Sequence, residues 1–246
     1  MADANRAKEE QMKRRTFVKH TVAALPAMAA LSIPPAGPAG DMQPIDLPKP
    51  ETEDGQRLLA ALQGRKTTRS IGPENLPLQT LSNLLWAAFG VNRAGAGLMG
   101  KPGRTAPSAS NSQEIDLYVA LPRGVYLYEG LPHRLVPVAA GDFRALAGRG
   151  AAARAPVNIF YVVDLSRYVV GPGQPDRSIG DPEVQKSYYF TDTGFIAQNV
   201  YLFAAAQGLA AWFHNCDKVR TVREFKLRPE QRVLFAQTVG FAAAVS

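Results

Sequence analysis

Apolar residues follow a helical spacing in three stretches of the chain. In residues 78–89 they recur every three or four positions, which predicts a core-facing helix that ends at Gly90. A shorter helix is predicted over residues 55–64, where three leucines share one face. The longest stretch, residues 188–208, is apolar on nearly all sides, so we expect that helix to be buried in a core or in a subunit interface.

Alternating and β-branched residues predict strands elsewhere. Residues 115–121 alternate and residues 125–128 follow after a Pro-Arg-Gly turn, so together they predict a hairpin. Further strands are predicted at residues 157–163 and 235–239. The remaining predictions are short helices at 142–146, 219–225 and 229–234, a loose stretch at 147–155, a mobile loop at 94–103, and a surface loop at 167–182 that is either a lid or a plain insertion. The pattern by itself predicts a mixed α and β fold.

The N-terminal segment has the composition of a targeting sequence. A basic run at residues 13–19 precedes a weakly apolar run at residues 21–33, which is shorter than the about 20 residues that span a bilayer. Small residues follow, and the Arg14-Arg15 pair resembles a twin-arginine export motif. We therefore predict a signal peptide at residues 1–40, the twin-arginine export machinery as a partner, and a periplasmic location. The alternative is a basic tail on a cytoplasmic protein.

The charge balance gives no support for a nucleic-acid partner. The formal net charge is +7, but residues 1–40 hold six Lys/Arg and three Asp/Glu, so about +4 remains after the signal peptide. No Lys/Arg stripe with interleaved aromatics is present. Cys216 is the only cysteine and no Cys/His set has metal-ligand spacing, so we expect neither an internal disulfide nor a metal site. Residues 41–54 are expected to be a Pro-rich linker or wrapping arm, and residues 55–246 a single domain.

Residues 65–71 concentrate cations and hydroxyl groups after the first predicted helix. The segment is Arg-Lys-Thr-Thr-Arg-Ser-Ile, with three cations and three hydroxyls in six residues. Such side chains can surround a dianionic phosphate with charge-assisted hydrogen bonds. The alternative is a solvated cluster at a helix end, where basic residues are common.

Residues 104–113 connect a predicted helix with a predicted strand and are richer in small polar side chains than a connector needs. The segment is Arg-Thr-Ala-Pro-Ser-Ala-Ser-Asn-Ser-Gln. Hydroxyl and amide groups on a backbone restricted by proline can hold the polar edge of a flat ring, such as that of a flavin. An ordinary polar loop is the alternative when the segment is considered alone.

Three segments together resemble the nitroreductase family. Residues 107–113, Pro-Ser-x-x-Asn-Ser-Gln, resemble its flavin-loop motif, and residues 65–69 resemble its Arg-x-Ser-x-Arg phosphate clamp. Residues 85–93 and 104–108 are similar to the peptide-heterocycle dehydrogenase branch of that family. The resemblance covers residues 55–240. It implies an α+β, nitroreductase-like fold with a central, mainly antiparallel sheet flanked by helices, in a homodimer with two FMN molecules at the interface.

The resemblance also implies an activity and a set of site residues. The activity is that of an FMN-dependent oxidoreductase, which transfers two electrons through flavin N5 to or from a small organic substrate such as a nitroaromatic or a quinone, with NAD(P)H as the usual donor. The residues assigned to the cofactor phosphate are Arg65, Lys66, Thr67 and Arg69. Those assigned to the ring are Pro107, Ser108 and Asn111, from the same subunit or from its partner. By position Asn215 and Cys216 would lie beside flavin N5, although the family's usual acidic-Gly pair is replaced there.

No side chain stands out as the catalytic acid or base. His214 is a candidate proton donor because the unperturbed imidazole pKa suits proton transfer, and a structural histidine beside an apolar strand is the alternative. Many family members continue beyond the position of Ser246 and supply another phosphate-binding arginine. We therefore expect the phosphate clamp to depend more heavily on Arg65 and Arg69.

Other functions stay open at this point. One is a redox-inactive flavin-fold protein that binds a ligand or a partner, and another is a dehydrogenase of a peptide heterocycle with oxygen as acceptor. A periplasmic binding protein would normally have two lobes and more residues. An exported oxidoreductase would need a donor other than NAD(P)H, such as a quinol or a redox partner.

Overall fold

The computed structural model describes residues 42–52, 58–95 and 97–244. The predicted signal peptide at residues 1–40 lies outside these ranges, and so does the predicted start of the first helix at residue 55. Within the described ranges, no helix is both long and apolar enough to cross a lipid bilayer.

Seven strands of the described chain form one sheet, and a separate ribbon has two strands. In chain order they are β1 (Ile45–Asp46), β2 (Val91–Arg93), β3 (Gly103–Arg104), β4 (Ile115–Leu121), β5 (Gly124–Glu129), β6 (Arg134–Ala140), β7 (Val157–Asp164), β8 (Ala210–His214) and β9 (Gln231–Gly240). The sheet order is β1-β6-β5-β4-β7-β9-β8, and β2 pairs with β3. Every one of these pairs is antiparallel, which confirms the predicted sheet.

Helices cover both faces of the sheet, which confirms the predicted α+β fold. Those that the structure describes are α1 (Leu58–Gly64), α2 (Leu78–Phe89), α3 (Ala151–Arg154), α4 (Pro182–Ala206) and α5 (Lys218–Glu224). The main hydrophobic core packs α2 and α4 on one face, where Leu84 and Ile196 are fully buried. On the other face a second cluster surrounds Phe225, directly after α5, whose ring stacks on Tyr118 and meets Phe160 edge-on.

β4 and β7 form the centre of the sheet and are buried along their whole length. Their cross-strand pairs run from Ile115 opposite Val163 to Ala120 opposite Asn158. Because both faces of these strands are covered, both carry apolar residues, and β-branched and aromatic side chains fit that environment. The predicted hairpin is present as β4 and β5, with residues 122 and 123 forming the turn.

Three segments differ from the sequence prediction. The predicted short helix at residues 229–234 is wrong, because β9 begins at Gln231 and pairs with Asp164 of β7. The stretch at residues 147–155, predicted to be loose, contains α3. The sequence pattern does not predict β6, since Pro137 interrupts it and most of its residues are only half-buried. In β6 and β9, pairing with a neighbouring strand overrides local propensity.

α4 begins at Pro182, six residues before the predicted start at residue 188. Asp181 caps the helix by accepting a hydrogen bond from the Glu183 backbone N–H, and proline is favoured in a first turn. The helix ends at Ala206, shortly before Gly208 with its φ of +66°. These end signals, rather than apolar spacing, determine the length of α4.

Residues 42–52 lie against the sheet edge and against α2. β1 pairs with β6, Leu47 is buried, and the Leu47 N–H donates to the His133 carbonyl O at 3.1 Å. Ser82 of α2 donates its hydroxyl proton to the Pro48 carbonyl O. These contacts are those of a wrapping arm rather than of a free linker.

Candidate functional site

The basic segment at residues 65–71 lies along the edge strand β8 and the C-terminal half of α4. The Thr68 backbone N–H donates to a carbonyl O of β8 at 2.9 Å. The Arg65 guanidinium lies over the Tyr201 ring, 5.6 Å from its centroid, and the hydroxyls of Thr67 and Tyr201 share a hydrogen bond of 3.1 Å. The segment is therefore held by its backbone and by one tyrosine of α4.

The cations of this segment remain available for an anion. Arg69 lies over the Trp212 ring, 5.6 Å from its centroid, and Lys66 and Arg69 are exposed. In the part of the chain that the structure describes, none of Arg65, Lys66 and Arg69 has a carboxylate oxygen within 4.0 Å. Three cations without an acidic partner, together with the Thr67 hydroxyl, are a donor set that fits a phosphate.

His214, the candidate proton donor, has partners for both ring nitrogens. Its Nδ1 lies 2.8 Å from the Asn215 carbonyl O, and its Nε2 lies 2.8 Å from the Thr238 hydroxyl. The ring packs on Trp212 with 4.2 Å between centroids. Burial lowers the pKa of His214, although the hydrogen bond to Asn215 acts in the opposite direction. At neutral pH the imidazole is therefore neutral, and it positions the turn that follows β8.

Asn215 and Cys216 follow β8 and line a cavity of about 370 Å³ together with Arg149 and Arg220. Asn215 is exposed, and Cys216 is half-buried. Burial raises the pKa of Cys216 to about 11. The thiol therefore stays protonated at neutral pH, which does not suit a nucleophile.

The 107–113 loop, which contains the predicted ring contacts, has an unusual backbone. Ser110, Asn111 and Gln113 adopt positive φ angles of 51°, 53° and 52°. Non-glycine residues are uncommon in this region, and residues held in such sparsely populated conformations cost about 1–3 kcal/mol each and cluster at ligand clamps. A plain connector has no need of three such residues within four positions.

Side chains of the loop hold it in this conformation. The Asn111 side-chain amide donates to the Leu98 carbonyl O at 2.9 Å and to the Lys101 carbonyl O at 3.3 Å. The Ser108 hydroxyl accepts from the Gln113 backbone N–H at 3.0 Å. Asn111 thus positions the neighbouring 98–101 segment, whereas the Ser108 hydroxyl bridges the two ends of the loop.

A cavity of about 580 Å³ opens beside the loop. Its walls include Arg93, Leu98, Arg104, Pro107, Ser108 and Asn111. None of the described residues that line it is acidic. The volume suits a small organic molecule, and the two arginines favour an anionic or electron-rich one.

Arg104 lines both this cavity and a second one of about 330 Å³. Its Nε donates to the Gln113 side-chain O at 2.8 Å, and its Nη1 donates to the Phe89 carbonyl O at 2.9 Å. The guanidinium also lies over the Phe89 ring, 4.8 Å from its centroid, and burial lowers the pKa of Arg104. Arg104 therefore fastens the end of α2 to the 107–113 loop.

The structure places the two predicted groups of cofactor residues at different parts of one helix. The Ala109 N–H of the loop donates to the Asp192 carboxylate at 2.9 Å, whereas Arg65 and Thr67 contact Tyr201. Asp192 and Tyr201 both belong to α4 and lie nine residues apart, which is about 13 Å along a helix axis. Within one chain, the phosphate-clamp residues and the ring-contact residues therefore do not form a single cluster.

Sequence reasoning did not assign Tyr201 or Trp212 to the site, although an arginine of the basic segment lies over the ring of each. The available signals were a tyrosine in an otherwise apolar part of a helix and a tryptophan two residues before His214. Tyrosine and tryptophan are enriched where an apolar surface meets a polar one.

Comparison with known proteins places this chain in a family. A family model described as the nitroreductase family matches residues 62–241. A solved structure from Ralstonia eutropha JMP134, assigned as a nitroreductase, has 33% sequence identity and a TM-score of 0.74, and the match covers 90% of this chain and 99% of that one. A protein of Methanocaldococcus jannaschii, also assigned as a nitroreductase, is 28% identical over 206 residues, which are 77% of this chain and 94% of the relative.

A more distant likeness concerns the fold alone. The E. coli microcin synthetase McbBCD complex, solved with truncated pro-MccB17 bound, contains a chain that matches with a TM-score of 0.60 and 20% identity. The match covers 73% of this chain and 70% of that one.

Proposed function

This chain belongs to the nitroreductase family, a membership that supports an oxidoreductase, and from that premise we propose that it is an FMN-dependent enzyme. The reaction is a two-electron transfer between bound FMN and a small organic substrate such as a nitroaromatic or a quinone. The observation that carries the proposal is the strip of Arg65, Lys66 and Arg69, which lacks a carboxylate partner in the described chain and lies beside aromatic side chains of α4 and β8.

The basic segment fits the FMN phosphate. Arg65 and Arg69 are steadied by the Tyr201 and Trp212 rings, so less side-chain freedom is lost when they bind an anion. Thr67, in the place of the family's serine, adds a hydroxyl that Tyr201 orients. When bound, FMN would supply the two-electron redox chemistry, and the protein would supply binding, orientation and exclusion of water.

The 107–113 loop fits the polar edge of the flavin ring, and we assign Pro107, Ser108 and Asn111 to it. Asn111 is assigned by its place on the cavity wall, since its amide nitrogen holds the 98–101 segment. The proposal assigns the loop of one subunit to the flavin whose phosphate the other subunit holds, an arrangement that the family resemblance implies. The contacts of the two segments on α4, about 13 Å apart, are compatible with it. The exposed apolar side chains Leu58, Leu59 and Leu62 of α1 and Phe190 and Phe195 of α4 support a homodimer that covers them.

The residues after β8 are assigned to the reactive side of the ring. His214 donates Nδ1–H to the Asn215 carbonyl O and thereby orients the peptide that joins Asn215 to Cys216. In this role His214 is a positioning residue, since its other nitrogen is engaged by Thr238. Cys216 contributes packing rather than thiolate chemistry.

The electron donor depends on the location of the protein. The twin-arginine-type segment at residues 1–40 supports export. We propose a quinol or a redox partner as donor for the exported protein, and NAD(P)H for a protein that stays in the cytoplasm.

The visible absorption spectrum of the purified protein, followed by the mass of any molecule released on unfolding, tests the proposal. We expect FMN at about one molecule per chain. The double variant Arg65→Gln/Arg69→Gln should lose it, because two charge-assisted hydrogen bonds of about 1.5–3 kcal/mol each correspond to a Kd on the order of 100-fold to 10,000-fold weaker. The control Arg154→Gln/Arg177→Gln removes the same charge from two exposed arginines elsewhere and should keep FMN.

Two results would count against the proposal. A colourless protein that does not bind added FMN would refute flavin dependence. A yellow protein whose FMN affinity is the same in both double variants would refute the phosphate clamp and leave flavin dependence intact.

A further inference from the structure

Two carboxyl groups lie buried beneath the 107–113 loop. Glu114, directly before β4, has no exposed surface, and Asp192, in the third turn of α4, is only 4% exposed. The side chains come from positions 78 residues apart in the sequence and are brought near each other because α4 packs against β4. Carboxylates are rarely buried unless they are paired or coordinate a metal.

Each carboxyl holds one end of the loop. Asp192 Oδ2 accepts a hydrogen bond from the Ala109 backbone N–H at 2.9 Å. Glu114 Oε2 accepts one from the Ser112 hydroxyl at 2.5 Å. The two carboxyls also lie near each other, because the charge of Glu114 and a hydrogen bond with it both add to the effect of burial on the pKa of Asp192. Yet Glu114 Oε1 is buried without a donor among the residues that the structure describes.

One proton shared by the two carboxyls would remove both their mutual repulsion and the lack of a donor at Glu114. Two ionised carboxylates in contact repel each other strongly in a buried site, whereas one proton between them turns the repulsion into a hydrogen bond and gives Glu114 Oε1 a donor. Burial first, and then the charge of Glu114, raises the pKa of Asp192 to about 8. At neutral pH the pair therefore retains one proton.

The charged and titratable neighbours do not remove the need for that proton. Lys101 donates Nζ–H to the Ser112 carbonyl O at 2.5 Å, and burial lowers its pKa. Arg167 donates to the Gln113 carbonyl O at 2.7 Å and pairs with Asp116, with Asp164 3.7 Å away. Tyr168 also faces the pair: burial, then the charges of Glu114 and Asp192, and then a hydrogen bond with Glu114 raise its pKa. This neutral donor does not cancel the repulsion between two ionised carboxylates.

We propose that Glu114 and Asp192 share one proton and act as a positioning pair, which keeps the 107–113 loop in its ligand-binding conformation and releases it when the proton is lost. Loss of the proton leaves two carboxylates in contact, and their repulsion separates the start of β4 from α4. The anchors at Ala109 and Ser112 then move apart with them. The effect on the flavin rests on the proposed function, whereas the effect on the loop does not.

Amide hydrogen exchange in the full chain tests the pair without a cofactor. After correction for intrinsic exchange rates, protection of the Ala109 amide should fall by up to about tenfold per pH unit above the pKa of about 8. In Asp192→Asn and in Glu114→Gln the amide replaces the shared proton, and protection should no longer depend on pH. Glu183→Gln, which makes the same change on the exposed first turn of α4, should behave like the wild type.

A second readout needs no variant. The infrared band of a protonated carboxyl group should be present in wild-type protein at about pH 7 and disappear above about pH 9. Absence of that band at neutral pH would overturn the proposal even if neither variant folds. The proposal would also fail if protection of the Ala109 amide in Asp192→Asn kept the pH dependence of the wild type.

A third measurement separates this proposal from flavin binding. If FMN binds, its Kd should rise with pH in the wild type and in Glu183→Gln but stay constant in Asp192→Asn. If FMN does not bind but loop protection still follows pH as expected, the proposed function fails and the positioning pair stands. If FMN binds but neither its Kd nor loop protection changes with pH, the positioning pair fails and the proposed function stands.

Discussion

The substitution Tyr201→Phe removes the hydroxyl of this residue and keeps its ring, so the two contributions can be measured separately. The hydroxyl accepts a hydrogen bond from the Phe213 backbone N–H at 2.8 Å and bonds the Thr67 hydroxyl at 3.1 Å. The ring lies under the Arg65 guanidinium, and phenylalanine preserves that contact. The change therefore tests only the link that the hydroxyl forms between α4, β8 and the basic segment.

We expect Tyr201→Phe to lower the free energy of unfolding by about 1–3 kcal/mol, because the Phe213 N–H of a half-buried strand loses its acceptor. The measurement is urea-induced unfolding followed by fluorescence. FMN binding should also weaken, since Thr67 is no longer oriented.

Tyr188→Phe is the matched control. It removes the same hydroxyl from the same helix, but the bond that it breaks, to Asp176 at 2.6 Å, joins two partly exposed side chains and involves no backbone N–H of a strand. Its loss of stability should be clearly smaller, because water replaces the missing partner. Equal losses in the two variants would refute the account of Tyr201 as a link between elements.

Two further predictions follow from burial. At about pH 8 only about a thousandth of the Cys216 thiol should be ionised, so iodoacetamide should modify it on the order of a hundredfold more slowly in folded protein than in urea; equal rates would contradict its burial. Because the pKa of His214 is lowered on folding, the unfolded chain takes up a proton first as the pH falls through about 6.5, and stability falls. His214→Asn should reduce this loss between about pH 7.5 and 5.5 in urea unfolding, leaving the share due to His133, whose pKa burial also lowers; an unchanged loss would contradict the shift.

The sequence predicts elements that are determined by local apolar spacing. Helix α2 has the bounds that its leucines predict, and β4 and β7 appear where alternation and β-branched residues indicate them. β6 and the start of β9 do not follow from local pattern, because Pro137 and Gln231 are placed by pairing with neighbouring strands. Tertiary pairing of this kind is not encoded within any short window of sequence.

The same limit applies to the candidate site. The sequence motifs identify the basic segment and the 107–113 loop, and the assignment of their residues to FMN stays a prediction. The Asn111 amide holds the 98–101 segment. The motif alone does not predict this contact, because the contact depends on the folded chain. The Glu114–Asp192 contact joins residues far apart in sequence, and spacing gives no indication of it.

The wrapping arm at residues 42–52 has a consequence for how copies of this chain can meet. β1 occupies the outer side of β6, and the Thr68 N–H occupies the outer carbonyl of Ala211 at the opposite edge of the sheet. A free sheet edge is a template for strand addition by another chain, and here β1 covers Arg134 and Leu135 of β6 while Thr68 covers one carbonyl of β8. Both contacts hinder extension of the sheet by a second copy. A chain trimmed of its arm would expose the edge of β6 and become prone to edge-to-edge aggregation.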